Sequence, residues 1–202
     1  MKRRLGWFLT IAAACAALWL GWHKLTRFPA DNTPQGAYLR IAYAVTQRDT
    51  KGCFAYLEDS AQHAAFTIRD YRRKASERIA ATYPEPERSR WLDTYRAHAS
   101  ARDGADVWVD IANARGSVGQ LRRDLSGIAR VEIEGERATV ETVRGSRYAF
   151  RMRPNGIWGL TLFTPVLVSE AERAARDWEV VQKTAEDYER ALGRGANSVT
   201  HP

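Results

Sequence analysis

The segment RVEIEGERATVETVRGSRYAFRMRPNGIWGLTLF, residues 130–163, decides the fold. Apolar and polar residues alternate along it, as expected for β-strands with one buried face. Gly135, Gly145 and the pair Asn155-Gly156 interrupt the alternation, and such residues favour the positive φ that tight hairpin turns require. The segment therefore predicts a four-stranded antiparallel meander, with strands at residues 130–134, 137–143, 148–153 and 157–163.

The alternation also predicts the two faces of this sheet. The apolar face is expected to contain Val131, Ile133, Val140, Tyr148, Phe150 and Met152. The opposite face is charged, and we expect it to meet water, with Glu132, Glu134, Glu141, Arg151 and Arg153 pairing weakly across strands.

Helical periodicity dominates the chain before the sheet, so the fold class is predicted as α+β with a helical first half. Thr33-Pro34 is a typical helix start, with threonine as the cap and proline in the first turn. Arg48-Asp49-Thr50 then separates the first helix from a short second one that carries Phe54 and Leu57. A long helix follows, with an apolar stripe at Phe66, Tyr71, Ala75, Ile79 and Tyr83. The expected helices after the second one lie at residues 60–82, 87–99, 105–115 and 117–125.

A long C-terminal helix is predicted from Thr164-Pro165 to Leu192, with Gly193 as its stop. Its apolar residues follow a heptad spacing: Leu167, Ala171, Ala174, Trp178, Val181, Ala185, Tyr188 and Leu192. Two interpretations stay open. The stripe packs on the sheet or on other helices of the same chain, or it forms the seam of a homodimer.

The N-terminal end predicts a membrane anchor. The uncharged run at residues 5–22 follows Lys2-Arg3-Arg4 and is long enough to span a bilayer as a helix. Leu5, Trp7, Trp19 and Trp22 lie near its two ends, where tryptophan favours the interface. Two alternatives stay open for this run: cleavage as a signal peptide after Ala12-Ala13-Ala14, and acylation at Cys15.

The anchor sets the expected domain organisation and location. Basic residues before the run favour a cytoplasmic N-terminus, so we predict a single-pass protein of the inner membrane with its bulk outside the cytoplasm and lipid as its first partner. The expected parts are a cytoplasmic tip at 1–4, a transmembrane signal-anchor at 5–22, a linker at 23–32, an exported domain at 33–192 and a flexible tail at 193–202.

Charge and cysteine content narrow the function classes. The net charge is +7, but the excess comes mainly from five residues before the first acid, Asp31: Lys2, Arg3, Arg4, Lys24 and Arg27. The rest of the chain is nearly balanced, so nucleic acid is not an expected partner. Cys53 is the one cysteine after the anchor, and its apolar surroundings predict a buried small hydrophobe.

The sequence contains no motif that indicates catalysis, a metal or a cofactor. Its four histidines lack the spacing of a zinc site, and it has neither a phosphate-binding glycine loop nor a nucleophile elbow. Aromatic residues with a few polar neighbours are typical of a ligand pocket under a curved sheet. The candidate ligand-binding residues are His63, Arg69, Tyr71, Trp108, Tyr148 and Trp158.

Two stretches resemble the cone-shaped nuclear-transport-factor-like fold, also called SnoaL-like. The first is YLRIAYAV at 38–45, followed by Arg48-Asp49-Thr50 and FAYL at 54–57. The second is RATV at 137–140, followed by NGIW at 155–158. This chain differs from the family in its helices before the sheet and in its closing helix. The resemblance implies a fold and an accessory or binding role, without an activity.

These observations together predict a membrane-anchored exported domain that acts as a non-enzymatic binding or assembly module at the cell envelope. An envelope protein, or a second copy bound through the last helix, is the expected macromolecular partner. The alternative is a cone-fold carrier or enzyme for a small apolar molecule, with a closed cavity behind Tyr148, Phe150 and Trp158.

Overall fold

The structure is a computed structural model that describes residues 29–198, with side chains through Leu192. It confirms the α+β class, with helices first, then a sheet, then a long helix. The helices are α1 (Pro34–Thr46), a 3₁₀ turn (Gly52–Tyr56), α2 (Asp59–Thr82), α3 (Glu87–Ala99), α4 (Gly104–Ala114), α5 (Ser117–Asp124) and α6 (Thr164–Ser198). The strands are β1 (Ile128–Glu134), β2 (Arg137–Thr142), β3 (Arg147–Met152) and β4 (Trp158–Leu160).

The sheet is the predicted antiparallel meander, with strand order β1-β2-β3-β4. Its register places Val140 between Val131 and Tyr148 on one face. Only β4 departs clearly from its predicted length, because the chain turns immediately after it. The Thr161 amide donates to the Ala149 carbonyl at 3.0 Å, and the Thr164 amide donates back to the Thr161 carbonyl at 3.0 Å.

Two residues assigned to the buried face of the sheet are exposed. Val140 and Phe150 are buried as predicted, but Ile133 is 55% exposed and Met152 is 38% exposed. Both lie next to hairpin turns, at the end of their strands. Alternation predicts the face to which a side chain belongs, but it does not predict how far along the strand that face is covered.

The outer edge of β4 is covered by the chain that enters α2, where the sequence predicted the end of a second helix. That helix is only a 3₁₀ turn, and Leu57 after it is extended and forms a parallel bridge with Leu160. The Glu58 amide donates to the Leu160 carbonyl at 3.2 Å. A Cβ atom at Gly159 would lie 2.5 Å from the Glu58 Cα, so this close crossing requires glycine.

The first hydrophobic core joins the sheet, α1, α4 and the N-terminal halves of α2 and α6, and we call this region the body. Two buried indoles donate to backbone carbonyls that precede helices or turns. Trp108 Nε1 donates to the Thr50 carbonyl at 2.9 Å, and Trp158 Nε1 donates to the Asn32 carbonyl at 3.1 Å. The first bond holds the loop after α1 against the body, and the second holds the segment before α1.

A second, smaller core joins the C-terminal halves of α2 and α6 to α3, and we call this region the arm. The helices α2 and α6 run in the same direction. Arg72 Nη1 lies 2.7 Å from Asp177 Oδ2, and eleven residues further along both helices the rings of Tyr83 and Tyr188 meet at 5.1 Å. The buried stripe of α2 consists mainly of Ala61, Ala64, Ala65, Ile68, Ala75 and Ile79, whereas the predicted members Phe66 and Tyr71 lie off it.

The heptad stripe of α6 packs inside the chain. Leu167, Ala171, Ala174, Val181 and Ala185 are buried, whereas Leu192 is 71% exposed. A homodimer seam on the same stripe stays a prediction, and these buried residues would have to leave their intrachain contacts to form it. The predicted stop at Gly193 is wrong, because α6 continues through it to Ser198.

The predicted signal-anchor, with Leu5, Trp7, Cys15, Trp19 and Trp22, lies outside the described residues, as do residues 23–28 of the linker and 199–202 of the tail. Within residues 29–198, no helix combines the length and apolar character needed to cross a membrane. The end of the linker is described, and it lies against β4 through Asn32.

Candidate functional site

A groove of about 150 Å³ runs between α3 and α6 on the arm. We call it the arm groove. Its walls are mainly aromatic and aliphatic: Tyr83, Trp91, Tyr95, Val180, Val181 and Tyr188. Asp177 and Thr184 add two polar groups to the wall that α6 provides.

Helical spacing explains why these side chains line one groove. Val180, Thr184 and Tyr188 follow each other at four-residue intervals, so they share one side of α6. Trp91 and Tyr95 are likewise four apart on α3, and their rings stack with centroids 6.1 Å apart and planes 18° apart. The two helices therefore present facing rows of side chains.

The deep end of the arm groove is fixed by polar contacts to α2. Arg72 bonds to Asp177, and its guanidinium also lies over the Tyr95 ring, 4.6 Å from the centroid. The Tyr83 hydroxyl donates to the Val181 carbonyl at 3.3 Å. Burial raises the pKa of both tyrosines, and the Asp177 carboxylate raises the pKa of Tyr95 further, while Arg72 opposes it. Both phenols therefore stay neutral hydrogen-bonding groups near neutral pH.

The mouth of the arm groove exposes large apolar side chains to water. Trp91 is 38% exposed and Val180 is 62% exposed. Beyond Tyr188, α6 continues past the end of α2 to Ser198, roughly 15 Å of further helix, and Leu192 on that extension is 71% exposed. Exposed aromatic and aliphatic groups around a concave surface are typical of an interaction site.

Three of the residues predicted to bind a ligand lie on α2, outside both cores. His63 is exposed. Arg69 bonds to Asp70 and donates to the Arg102 carbonyl at 3.1 Å, which joins α2 to the loop before α4. Tyr71 is half-buried, with the Lys74 ammonium 5.5 Å from its ring centroid.

The other three, Trp108, Tyr148 and Trp158, are buried in the core of the body. The indole N–H groups of Trp108 and Trp158 already have carbonyl partners, so both residues serve packing and anchoring. Tyr148 lines a separate cleft at one end of the sheet. The structure thus groups three of the six candidates, and it places the other three along α2.

Sequence reasoning missed the arm groove. Trp91 and Tyr95 lie in the helix predicted at residues 87–99, for which no site was predicted. Val180 lies beside the heptad stripe of α6 and is not a member of it, so that pattern did not indicate it. The usable signal was the composition of α3, where Tyr95 is the one buried residue of the helix. A helix with a tryptophan, a leucine and a tyrosine but so little buried surface leaves aromatic area exposed.

Neither the cysteine nor the acidic and histidine side chains of the described residues form a reactive or metal-binding group. Burial raises the pKa of the Cys53 thiol to about 12, with Asp49 adding to it, so this cysteine is an inert core residue as predicted. No group of three or more histidine, cysteine, aspartate or glutamate side chains within the described part of the chain is arranged to hold a metal ion.

Comparison with protein-family models, with curated proteins and with solved structures gives no match for this chain. The assignment of a function therefore depends on the geometry of its own surfaces.

Proposed function

We propose that this protein is a membrane-anchored, exported binding or assembly module without catalytic activity, and that its arm groove receives an amphipathic helix of an envelope protein. The observation that carries the proposal is the arm groove itself, which keeps Trp91 and Val180 accessible between two helices. The membrane anchor rests on the sequence of residues 5–22.

The shape of the arm groove favours a helical partner. Its α6 wall extends from Asp177 to Tyr188, roughly 16 Å or three helical turns. A partner helix lying along it would present apolar residues at i, i+3 or i+4, and i+7, which is the usual reading of a helix in a groove. The volume of about 150 Å³ suits the side chain of one large anchor residue.

The chemistry of the arm groove favours protein as the partner. Tryptophan and tyrosine are the residues most enriched among those that dominate interface energies. Here the stacked pair Trp91–Tyr95 supplies a rigid apolar surface. The Tyr83 hydroxyl already donates a hydrogen bond inside the arm. A partner that covers this hydroxyl therefore does not leave it buried and unpaired.

The described end of the linker joins the domain away from the arm groove. The carbonyl of Asn32 accepts from Trp158 in the body, so the chain that leads from the proposed anchor joins the molecule at β4. The arm groove is built from α3 and the second half of α6. The point where the linker joins the domain and the proposed binding surface therefore lie in different regions of the domain.

Position-specific photo-cross-linking tests this proposal. Val180 is replaced by benzoylphenylalanine in the full chain. The variant is expressed in the source cells, and their membranes are irradiated. The proposal predicts one discrete product, whose cross-linked peptide maps to the apolar face of a helix in an exported or envelope protein. A second substitution, Trp91→Glu, should remove the product, because it places a charge in the apolar mouth.

The matched control carries the probe at Val143, which is 72% exposed on the β2–β3 turn of the body. The same product from Val143, or no product from Val180, contradicts the proposal. A product that maps to α6 of a second copy would show a homodimer and would exclude a separate envelope partner for this surface.

The alternative function, a cone-fold carrier or enzyme for a small apolar molecule, has one favourable observation. A cleft of about 330 Å³ adjoins Tyr148 at the end of the sheet, which is within the usual size range of ligand pockets. Phe150 and Trp158 are each 2% exposed inside the core. A carrier site would therefore use the cleft rather than the space behind these two rings.

A further inference from the structure

The two edges of the sheet differ in what covers them. The outer edge of β4 is covered by Leu57 and Glu58. β1 forms the other edge, and among the strands of the described residues it pairs with β2 alone. Within residues 29–198, no backbone hydrogen bond joins Ile128–Glu134 to any segment other than β2. An uncovered edge of this kind is a template for pairing with another strand.

The hydrogen bonds of β2 show which backbone groups of β1 point to the open edge. The Glu136 carbonyl accepts from the last residue of β3 at 2.8 Å, so it lies on the β3 side of β2. Because alternate residues of a strand bond to opposite sides, the odd-numbered residues of β2 bond to β1. Thr139 is one of them, and its register partner in β1 is Glu132. The N–H and C=O groups of Val131 and Ile133, on either side of Glu132, therefore point away from the sheet.

The side chains of β1 also suit a second strand. On the apolar face, Ile133 is 55% exposed and Val131 is half-buried. On the charged face, Arg130 and Glu134 stand at the two ends of the segment, with Glu132 between them. Charges on an edge strand oppose pairing when they meet like charges. Here the two ends carry opposite signs, so an antiparallel copy of the same segment brings unlike charges together.

We propose that β1 pairs antiparallel with β1 of a second copy, so that two sheets join across a twofold axis at Glu132. In this register Val131 lies opposite Ile133 of the second copy, and their outward backbone groups form about four hydrogen bonds. Arg130 lies opposite Glu134 of the second copy, and the symmetry repeats this pair. The interface goes beyond the function proposed above and uses a surface outside the arm groove.

Charge and the bulge in β1 select this register among the twofold alternatives. An axis at Ile133 would place Glu132 opposite Glu134 of the second copy, and the two carboxylates would repel each other. An axis at Val131 would place Ile133 opposite Ala129, where the register of β1 shifts and the strand cannot continue a regular ladder.

The axis at Glu132 brings one pair of like charges together, Glu132 and its own copy. Arg130 Nη2 lies 2.9 Å from Glu132 Oε1, and Arg147 Nη2 lies 3.5 Å from Glu132 Oε2. Each copy therefore supplies the cations that reduce this repulsion. A parallel pair in register would oppose like charges at Arg130, Glu132 and Glu134 alike, which favours the antiparallel arrangement.

Disulfide cross-linking tests the proposed pair. Glu132→Cys is introduced into the full chain together with Cys15→Ala, and Cys53 is kept because it is buried. Residues opposite each other at a non-hydrogen-bonded position have Cα atoms about 4.5 Å apart, which suits a disulfide. Mild oxidation in the source cells should therefore give a dimer linked through this cysteine. No dimer overturns the proposal, and a disulfide to a different protein overturns the second copy as the occupant.

Arg130→Cys and Glu134→Cys are the matched controls, because they lie on the same face of the same strand. Each is two residues from the axis, so its own copy lies roughly 14 Å away. Neither variant should form a dimer alone, whereas the two expressed together should form one, because these positions face each other. A dimer from Arg130→Cys alone in the same yield as from Glu132→Cys would show random collision and would overturn the register.

Reversal of the end charges gives a second readout in the Glu132→Cys chain. Arg130→Glu and Glu134→Arg should each lower the yield of dimer roughly fivefold, because each places like charges opposite each other twice. The two reversals combined should restore the yield. Arg122→Glu makes the same charge change at an exposed position of α5 and should leave the yield unchanged. Failure of the double reversal to restore the yield, or an equal loss with Arg122→Glu, overturns the proposed pairing.

Discussion

The body and the arm are built from shared helices but differ in how they bury their side chains. Among the residues that the structure describes, the core of the body contains 28 buried residues and the core of the arm contains six. The indoles of the body are buried and bonded to carbonyls, whereas the arm exposes Trp91 and Val180. The comparison indicates that the body carries most of the stability and that the arm leaves apolar surface free for contact with another molecule.

Truncating a buried aromatic side chain of the body should cause the largest effect. Trp158→Ala removes a ring that is 2% exposed and the bond from its N–H to Asn32. We expect the free energy of unfolding to fall by about 3–5 kcal/mol, as measured by urea denaturation of the full chain in detergent. A loss below about 1 kcal/mol would show that the body is not the stable unit of the molecule.

The close crossing of β4 and the start of α2, inside the body, should respond to a single added methyl group. Gly159→Ala places a Cβ atom against the backbone of Glu58, where α2 leaves the sheet. We expect a loss of about 1–3 kcal/mol, because backbone atoms on both sides have to move. Urea denaturation again measures it.

Gly119→Ala provides the matched control, since nothing lies within 4 Å of a Cβ atom at that position inside α5. This substitution should be neutral or should stabilise the protein by up to about 1 kcal/mol. Equal effects of the two alanines would mean that the crossing at Gly159 is not as close as the structure shows.

The two regions also differ in how much of them the sequence predicts. The meander was predicted because alternation and glycine turns are local signals, and β1, β2 and β3 agree with their predicted spans within about two residues. The end of β4 was missed because the chain turns after it, where the Thr164 amide donates to the Thr161 carbonyl. The apolar residues Leu162 and Phe163 continue the sequence pattern through this turn, so the pattern does not show where the strand ends.

The arm could not be derived from the sequence for a related reason. The heptad stripe of α6 predicts that Val181 and Ala185 are buried, which the structure confirms. It does not predict that α2 runs parallel to α6, nor that α3 lies beside both and leaves a groove. The continuation of α6 through Gly193 was also missed, since glycine lowers helix propensity without always ending a helix.

The arm should open without unfolding the body. Tyr95→Ala removes the one buried side chain of α3. We expect the arm to lose about 2 kcal/mol of stability. The loss should be confined to the arm, because α3 can open locally while the body stays folded. Hydrogen exchange measured by mass spectrometry should show faster exchange in residues 87–99 and unchanged exchange in β2 and β3. Faster exchange in all these segments would mean that the two cores unfold as one unit.

The smallest expected effect is a pH dependence of the attachment of α3. Burial lowers the pKa of His98 from its usual value of 6.5, and Arg72 lowers it further, while Asp110 and Glu170 oppose the shift. The folded arm therefore binds this proton less readily than the unfolded chain does. Stability is unaffected while His98 is neutral in both states, and it is lost as the pH falls below about 6.5 until the folded-state pKa is reached.

Substitution of His98 separates this contribution from the general loss of stability in acid. His98→Gln keeps a polar side chain of similar size but cannot be protonated in this range. Urea midpoints measured at pH 7.5 and pH 5.5 should fall less for the variant than for the parent chain. If both chains lose the same stability on acidification, His98 is protonated equally well in the folded arm. His98 would then be as accessible to water as the exposed side chains at the mouth of the arm groove.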